Sequence, residues 1–406
     1  MAKVITDRSK IREVLERGVE NIYPDKESLE KVLSSGKRIK LYCGFDPSAP
    51  SLHIGNAIQL NKLAQFQALG HEVIFLIGDF TGMIGDPTDK AAARKKMTRK
   101  EVLANAKNYK KQASAYLSFS GRNKAKIMYN SKWNDKLNFA GLIDLASNFT
   151  VQQMIARDMF QDRLKEDKPI YLHEFLYPLA QGYDSVAMDV DLEIGGNDQM
   201  FNMLCGRDLM KAIKGKEKFV LTTKLLVDPT GKKMGKTEGN IVNLDENPQD
   251  MYGKIMSWPD GVIIPGFELC TKIPMAEVEK IKRELENGKT NPRDFKMKLA
   301  YEITKMNWGE KKAEEAQDYF VKTIQKKEAP DEVKSKKLKV KSMNIVDLLV
   351  EVELASSKSE ARRLIEQGGI KVGEQVISDI GKKIEVTKNG VLIQRGKRQF
   401  IKVIGE

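Results

Sequence analysis

Residues 42–56 read YCGFDPSAPSLHIGN. The run just before and into it, RIKLYC (38–43), is short and largely apolar, a strand candidate. After it, Ile54, Ile58, Leu60, Leu63, Ala64, Phe66 and Leu69 recur at helical spacing until Gly70 closes the pattern. A strand therefore runs through a Gly/Pro-rich turn into a helix. At such a junction Gly44 lets backbone approach a ligand closely, and the helix start offers unpaired N–H groups and a positive dipole end, which suit a phosphate. His53 and Asn56 stand three apart in the first turn, beside that anion site. Both can donate hydrogen bonds to a phosphate whose charge grows in a transition state. On these residues alone, His53 reads equally well as a helix cap.

Working outward, EVIFLIGD (72–79) is apolar almost throughout, as in a strand buried on both faces, and completes a strand–helix–strand unit. A helix near 100–118 precedes the strand candidate KAKIMYN, and DVDLEIGG (189–196) and KFVLTT (218–223) bracket a helix from Asp198 to Ile213. The pattern predicts an α/β fold: a Rossmann-like open parallel sheet in two halves, interrupted by a helical insertion over 131–188. Beyond about 245 the chain reads as helical (275–287, 292–307, 309–326). EAPDEVKSKKLKVK (328–341), with five lysines, reads as a linker, and the remainder as a compact tail of two short helices and several strands. The expected domains are 1–225, catalytic; 226–330, helical; 331–342, linker; and 343–406, a small α+β unit.

A chain of 406 residues with 41% apolar residues is long enough for several folded domains. No apolar run approaches the roughly 20 residues of a membrane span, and MAKVITDRSK lacks the apolar stretch of a signal peptide, so a cytoplasmic protein is expected. Three scattered cysteines and three scattered histidines, without CxxC or HExxH, exclude a disulfide framework or a structural zinc site from the expectation. A net charge of +13 favours a polyanionic partner, although a generic lysine-rich surface has the same sign.

A second motif stands far downstream: Thr230-Gly-Lys-Lys-Met-Gly-Lys-Thr-Glu-Gly-Asn240. It lacks the spacing of a Walker loop, but two lysines three apart among glycines can clamp a polyphosphate. Together, HIGN (53–56) and KMGKT (233–237) resemble the HIGH and KMSKS signatures of class I aminoacyl-tRNA synthetases. LYCGFDPSAPSLHIG, TGMIGDP (81–87), YPLAQGYD (177–184) and IGGNDQ (194–199) resemble segments of the bacterial tyrosyl-tRNA synthetases, in that family's order.

The resemblance implies a tyrosine pocket of Tyr42, Asp86, Tyr177, Gln181, Asp184 and Gln199. Tyr42 with Asp184 would serve the phenol, and Asp86, Tyr177 and Gln181 the ammonium. Phenylalanine would be rejected because buried polar groups would lose their partner; tyrosine-specific synthetases are the standard illustration of this effect. For ATP the resemblance implies Gly44, Asp46, His53, Gly55, Asn56, Asp198 and Lys236. His53, Asn56, Lys90, Arg94, Lys233, Lys236 and Thr237 would stabilise charge in the reaction. ATP with Mg2+ would be a substrate, with no prosthetic group. Asn56 departs from the second histidine of HIGH, and Gly235 and Thr237 from the serines of KMSKS.

The segment 355–370, ASSKSEARRLIEQGGI, resembles the small RNA-binding alpha-L motif, and from 331 onward 16 basic residues face 11 acidic ones. Lys358, Arg362 and Arg363 are the expected RNA contacts. The implied partners are tRNA(Tyr), L-tyrosine, ATP and a second copy of the chain, with no membrane. Two rivals are a tryptophan-specific relative, disfavoured by Tyr42 with Asp184, and a catalytically idle RNA-binding relative, disfavoured by the intact motifs.

Overall fold

Six strands form one sheet: β1 (Val19–Tyr23), β2 (Lys40–Phe45), β3 (Glu72–Ile77), β4 (Lys126–Tyr129), β5 (Leu192–Gly196) and β6 (Phe219–Thr223), in the spatial order β1-β6-β5-β2-β3-β4. The structure is a computed structural model that describes residues 3–88, 96–234, 241–288, 290–325, 335–373, 375–396 and 399–405. Its contacts divide into two units, Met1–Glu310 and Lys311–Glu406.

In the first unit β2 through β6 pair in parallel, as the apolar runs predict. The expected open parallel sheet gains one strand that the sequence reading did not include, β1, which pairs antiparallel to β6 at the edge. In its sequence, VENIY, Glu20 and Asn21 break any continuous apolar run that would announce a strand, and it is only partly buried. Strand order reverses between β2 and β5: β3 and β4 extend one way, β6 the other. A doubly wound sheet opens a crevice at the carboxyl ends of the strands flanking such a reversal. The turn after β2 carries residues 46–53, and the turn after β5 carries Asn197–Gln199.

The insertion is helical, ending in the long helix Leu172–Met188. The helix predicted over 100–118 is instead two, Arg99–Ala106 and Tyr109–Ala113, with the break at Lys107 and Asn108. After the sheet come Pro248–Met256, Ile263–Cys270, Met275–Glu286 and Pro292–Trp308. Buried Arg17 ties this helical segment down, donating to the carbonyls of Phe267, Glu268, Thr271 and Ile273 at 2.7–3.1 Å. Those are largely the unpaired carbonyls of a helix C-terminus, which a cation satisfies well.

The second unit has its own apolar core, built from Leu338, Ile345, Leu348, Leu349, Ile365, Ile370, Ile393 and Val403 among others. Ser335–Leu338, read from its lysines as linker, is an edge strand parallel to Gln399–Gly405, and Leu338 at its end is buried. Lys358–Glu366 is a helix that buries Ala361 and Ile365 and leaves Lys358, Arg362 and Arg363 exposed. Among the described residues no helix is long and apolar enough to cross a membrane.

Candidate active site

A cavity of about 350 Å3 opens where β2 and β5 end. Its lining includes Tyr42, Gly44, Asp46, His53, Gly55, Asn56, Asp86, Tyr177, Gln181, Asp184, Asp198, Gln199 and Lys233. Residues expected for an amino acid and for a nucleotide thus share one space. Lys90, Arg94, Lys236 and Thr237 lie outside the described residues.

The turn after β2 is held by its own side chains. His53 caps the helix Ile54–Ala68, its Nδ1 accepting from Gly55 N at 3.1 Å, while Asn56 Oδ1 accepts from His53 N at 3.0 Å. The capping reading of His53 is therefore correct, and it does not compete with a ligand role. With Nδ1 committed as an acceptor, the neutral ring carries its hydrogen on Nε2. With Oδ1 committed, Asn56 has its amide hydrogens left to offer. The second motif reaches the same place from both sides. Met234 N donates to the Leu226 carbonyl at 2.7 Å, closing a hairpin that carries Lys233. Past the second motif in sequence, Ile54 N donates to the Val242 carbonyl at 2.9 Å and Leu244 N to the Leu52 carbonyl at 2.8 Å. Lys233 Nζ donates to Asp198 Oδ2 at 2.6 Å.

At the floor, Asp46 Oδ2 accepts from the Tyr177 hydroxyl at 2.8 Å and Oδ1 from Thr81 at 2.6 Å. Gly78 is required here, since a Cβ would stand 1.9 Å from Asp46 Oδ1. Burial and then the charges of Asp46 and Asp86 push the Tyr177 phenol well above its ordinary pKa, so it stays a hydrogen donor. Asp86 accepts from Thr88 at 2.6 Å and from Gln199 Nε2 at 2.6 Å. Arg157, stacked 4.7 Å from the Phe201 ring, donates to Thr88 at 2.8 Å and so steadies Asp86 from behind.

At the far end Tyr42 and Asp184 both face the cavity but do not bond to each other. The Tyr42 hydroxyl lies 2.9 Å from Ser185 Oγ. Asp184 Oδ1 accepts from Trp133 Nε1 at 2.7 Å and Asn134 Nδ2 at 3.1 Å, and Oδ2 from Asn130 Nδ2 at 3.2 Å. Gln181 donates to Glu193 at 3.1 Å. Burial, then the charges of Glu193 and Asp184, raise the Tyr42 phenol's pKa well above its ordinary value.

Sequence reasoning missed three lining residues, Thr81, Asn130 and Glu193, and others behind the lining: Trp133, Asn134, Arg157, Ser185 and Lys218. One carried a signal. Glu193 is a charge within a run otherwise suited to a buried strand, where an unpaired charge is prohibitive.

The model of the family described as tRNA synthetases class I (W and Y) matches residues 34–325, and that of a tyrosine–tRNA ligase SYY-like C-terminal domain matches 325–403. The chain is 45% identical to the tyrosine–tRNA ligase of Thermotoga maritima, over 97% of this chain and 96% of that protein. It is 43% identical to the tyrosine–tRNA ligase of Haemophilus influenzae, over 98% of each. Among solved structures, a C-terminally truncated mitochondrial tyrosyl-tRNA synthetase of Coccidioides posadasii is similar with a TM-score of 0.62 at 23% identity, covering 76% of this chain and 91% of that one. A tyrosyl-tRNA synthetase of Archaeoglobus fulgidus complexed with L-tyrosine gives a TM-score of 0.59 at 20% identity, covering 77% and 100%. At those identities the two structures bear on the fold alone.

Proposed function

The chain belongs to the class I tRNA synthetases of the tryptophan and tyrosine branch, and from that membership we infer a tyrosine–tRNA ligase. It activates L-tyrosine with ATP to tyrosyl-adenylate and transfers the tyrosyl group to the 3′ end of tRNA(Tyr).

The observation that carries the assignment of roles is the single cavity that brings together Tyr42 and Asp184, the HIGN turn, and Lys233 of the second motif. Tyr42 and Asp184 would bind the phenol. Asp86, Tyr177, Gln181 and Gln199 would receive the ammonium end. The tyrosine carboxylate is already ionised at neutral pH, so attack on the α-phosphorus needs no general base. Catalysis then rests on positioning and on hydrogen bonds that strengthen as charge builds. His53 Nε2–H, the Asn56 amide and Lys233 supply these, with Lys90, Arg94, Lys236 and Thr237. Gly44 and Gly55 leave room for the nucleotide, Asp46 lies between its site and Tyr177, and Asp198 would meet the ribose. In the free enzyme Asp198 holds Lys233, and the polyphosphate of ATP would compete for that ammonium. Mg2+ would enter bound to the ATP phosphates; among the described residues no group of three or more His, Cys, Asp or Glu is placed to hold a metal.

The tail over 343–406, with Lys358, Arg362 and Arg363, would contact tRNA, and the parts 1–225 and 226–330 would form the catalytic and helical domains. A homodimer is part of the same proposal. Large apolar side chains exposed in the first unit concentrate in the insertion, with Phe139 at 78% and Leu172 at 77% exposure, alongside Ile143, Val151 and Leu164. The place of action would be the cytoplasm, where tRNA is charged.

Lys236→Ala tests the clamp. The burst of tyrosyl-adenylate should slow by about 100-fold or more while tyrosine binding by equilibrium dialysis persists. A normal burst would refute the role of the second motif.

A further inference from the structure

Behind the cavity, Lys218 is wholly buried just before β6, and Glu193 on β5, which lines the cavity, is 2% exposed. The Lys218 ammonium donates to Glu193 Oε2, to Ser185 Oγ at 2.9 Å and to the Met203 carbonyl at 3.0 Å. These three bonds use all of its hydrogens. Glu193 Oε1 accepts from Gln181 at 3.1 Å, and Glu193 Oε2 is 3.3 Å from Ser185 Oγ. Ser185 in turn touches the Tyr42 hydroxyl. The ion pair therefore grips two cavity-lining side chains, Gln181 directly and Tyr42 through Ser185. The neighbouring helix makes room for it: a Cβ at Gly206 would stand 2.7 Å from Lys218 Nζ and 3.0 Å from Ser185 Oγ.

A buried ion pair is a poor stabiliser, because apolar residues of similar volume often do as well or better. What it supplies is direction. An ammonium only donates and a carboxylate only accepts, so the hydrogens between them are oriented. Ser185 Oγ must receive one hydrogen from Lys218, which leaves it a single hydrogen to share with Glu193 and Tyr42.

We propose that Lys218, acting through Glu193 and Ser185, is a positioning residue for tyrosine recognition that orients Gln181 and Tyr42 toward the amino acid. It acts on selection of the amino acid and not on ATP. The inference rests on the reading of Tyr42 and Gln181 as tyrosine contacts.

Lys218→Met alone strands the Glu193 carboxylate and threatens folding, so the paired variant Glu193→Gln/Lys218→Met carries the test, beside Ser185→Ala. Pyrophosphate exchange by the full-length protein is measured against tyrosine, phenylalanine and ATP concentration, with the thermal midpoint recorded. The paired variant and Ser185→Ala should each raise KM for tyrosine about ten-fold and lower the tyrosine-over-phenylalanine ratio of kcat/KM to match, with KM for ATP within about two-fold of the parent. A folded paired variant with parental tyrosine KM and ratio overturns the proposal. So does one in which tyrosine and ATP kinetics decline together, the mark of a purely structural role. Tyr42→Phe separates the two readings. If it leaves the ratio unchanged, the pocket assignment itself fails; if it lowers the ratio while the paired variant does not, only the role of Lys218 fails.

Discussion

Truncating Asp184 to alanine perturbs the phenol end of the cavity at its most committed side chain. The carboxylate is 2% exposed and accepts from Trp133, Asn134 and Asn130. Burial pushes its pKa well up, and the bonds from Trp133, Asn130 and Asn134 pull the other way. Asp184→Ala removes the acceptor of three N–H groups, although Asn130 keeps Thr81 as a second acceptor at 3.0 Å. Each orphaned donor costs about 1–3 kcal/mol; the vacated volume opens on the cavity and admits water, so the low end applies and the two donors left without a partner, on Trp133 and Asn134, cost about 2 kcal/mol together. For function, the substrate phenol loses one strong polar partner, a roughly 10- to 100-fold fall in the tyrosine-over-phenylalanine ratio of kcat/KM. Urea unfolding followed by tryptophan fluorescence reads the first effect and pyrophosphate exchange with each amino acid the second. A stably folded variant with undiminished discrimination would refute the pocket.

Two further outcomes are expected. His71 is buried beside Phe66, and burial with the charge of Arg38 lowers its pKa from 6.5 to about 4. The folded state then binds its proton less readily than the unfolded state does, so its contribution to stability is complete above pH 6.5 and is lost as pH falls toward 4. His71→Leu should flatten the urea midpoint across that window, and an unchanged profile would locate the acid sensitivity elsewhere. In the tail, Arg362→Ala/Arg363→Ala should raise KM for tRNA and flatten the salt dependence of tRNA binding by about 0.7 to 0.9 log units per lost phosphate contact. An unaltered salt slope would remove both arginines from the RNA surface.

Much of the fold is legible because burial writes itself into the sequence. EVIFLI reads as a strand covered on both faces, and the helix after HIGN repeats its apolar residues at i, i+3 and i+4. The edge strand VENIY is not legible, because an edge position asks for little apolar surface. The SKKL strand of the tail is hidden by its lysines, which only pairing with a distant segment places. Of the cavity lining, only the HIGN turn is legible from its own residues; Tyr42, Asp86, Tyr177, Gln181, Asp184 and Gln199 are named through the family resemblance, several of them on a strand or a helix. The layer behind the lining was not legible, since Trp133, Asn134 and Ser185 meet Tyr42 and Asp184 only through folding. Glu193 is the exception, as it interrupts an apolar run and calls for a buried partner, although nothing in the sequence singles out Lys218 from its charged neighbours.

Pyrophosphate exchange with ATP, run separately with each of the twenty amino acids in the absence of tRNA, tests the central claim most directly. Tyrosine alone should support rapid exchange at micromolar concentration. Exchange driven equally well by tryptophan, or by no amino acid at all, would contradict the account.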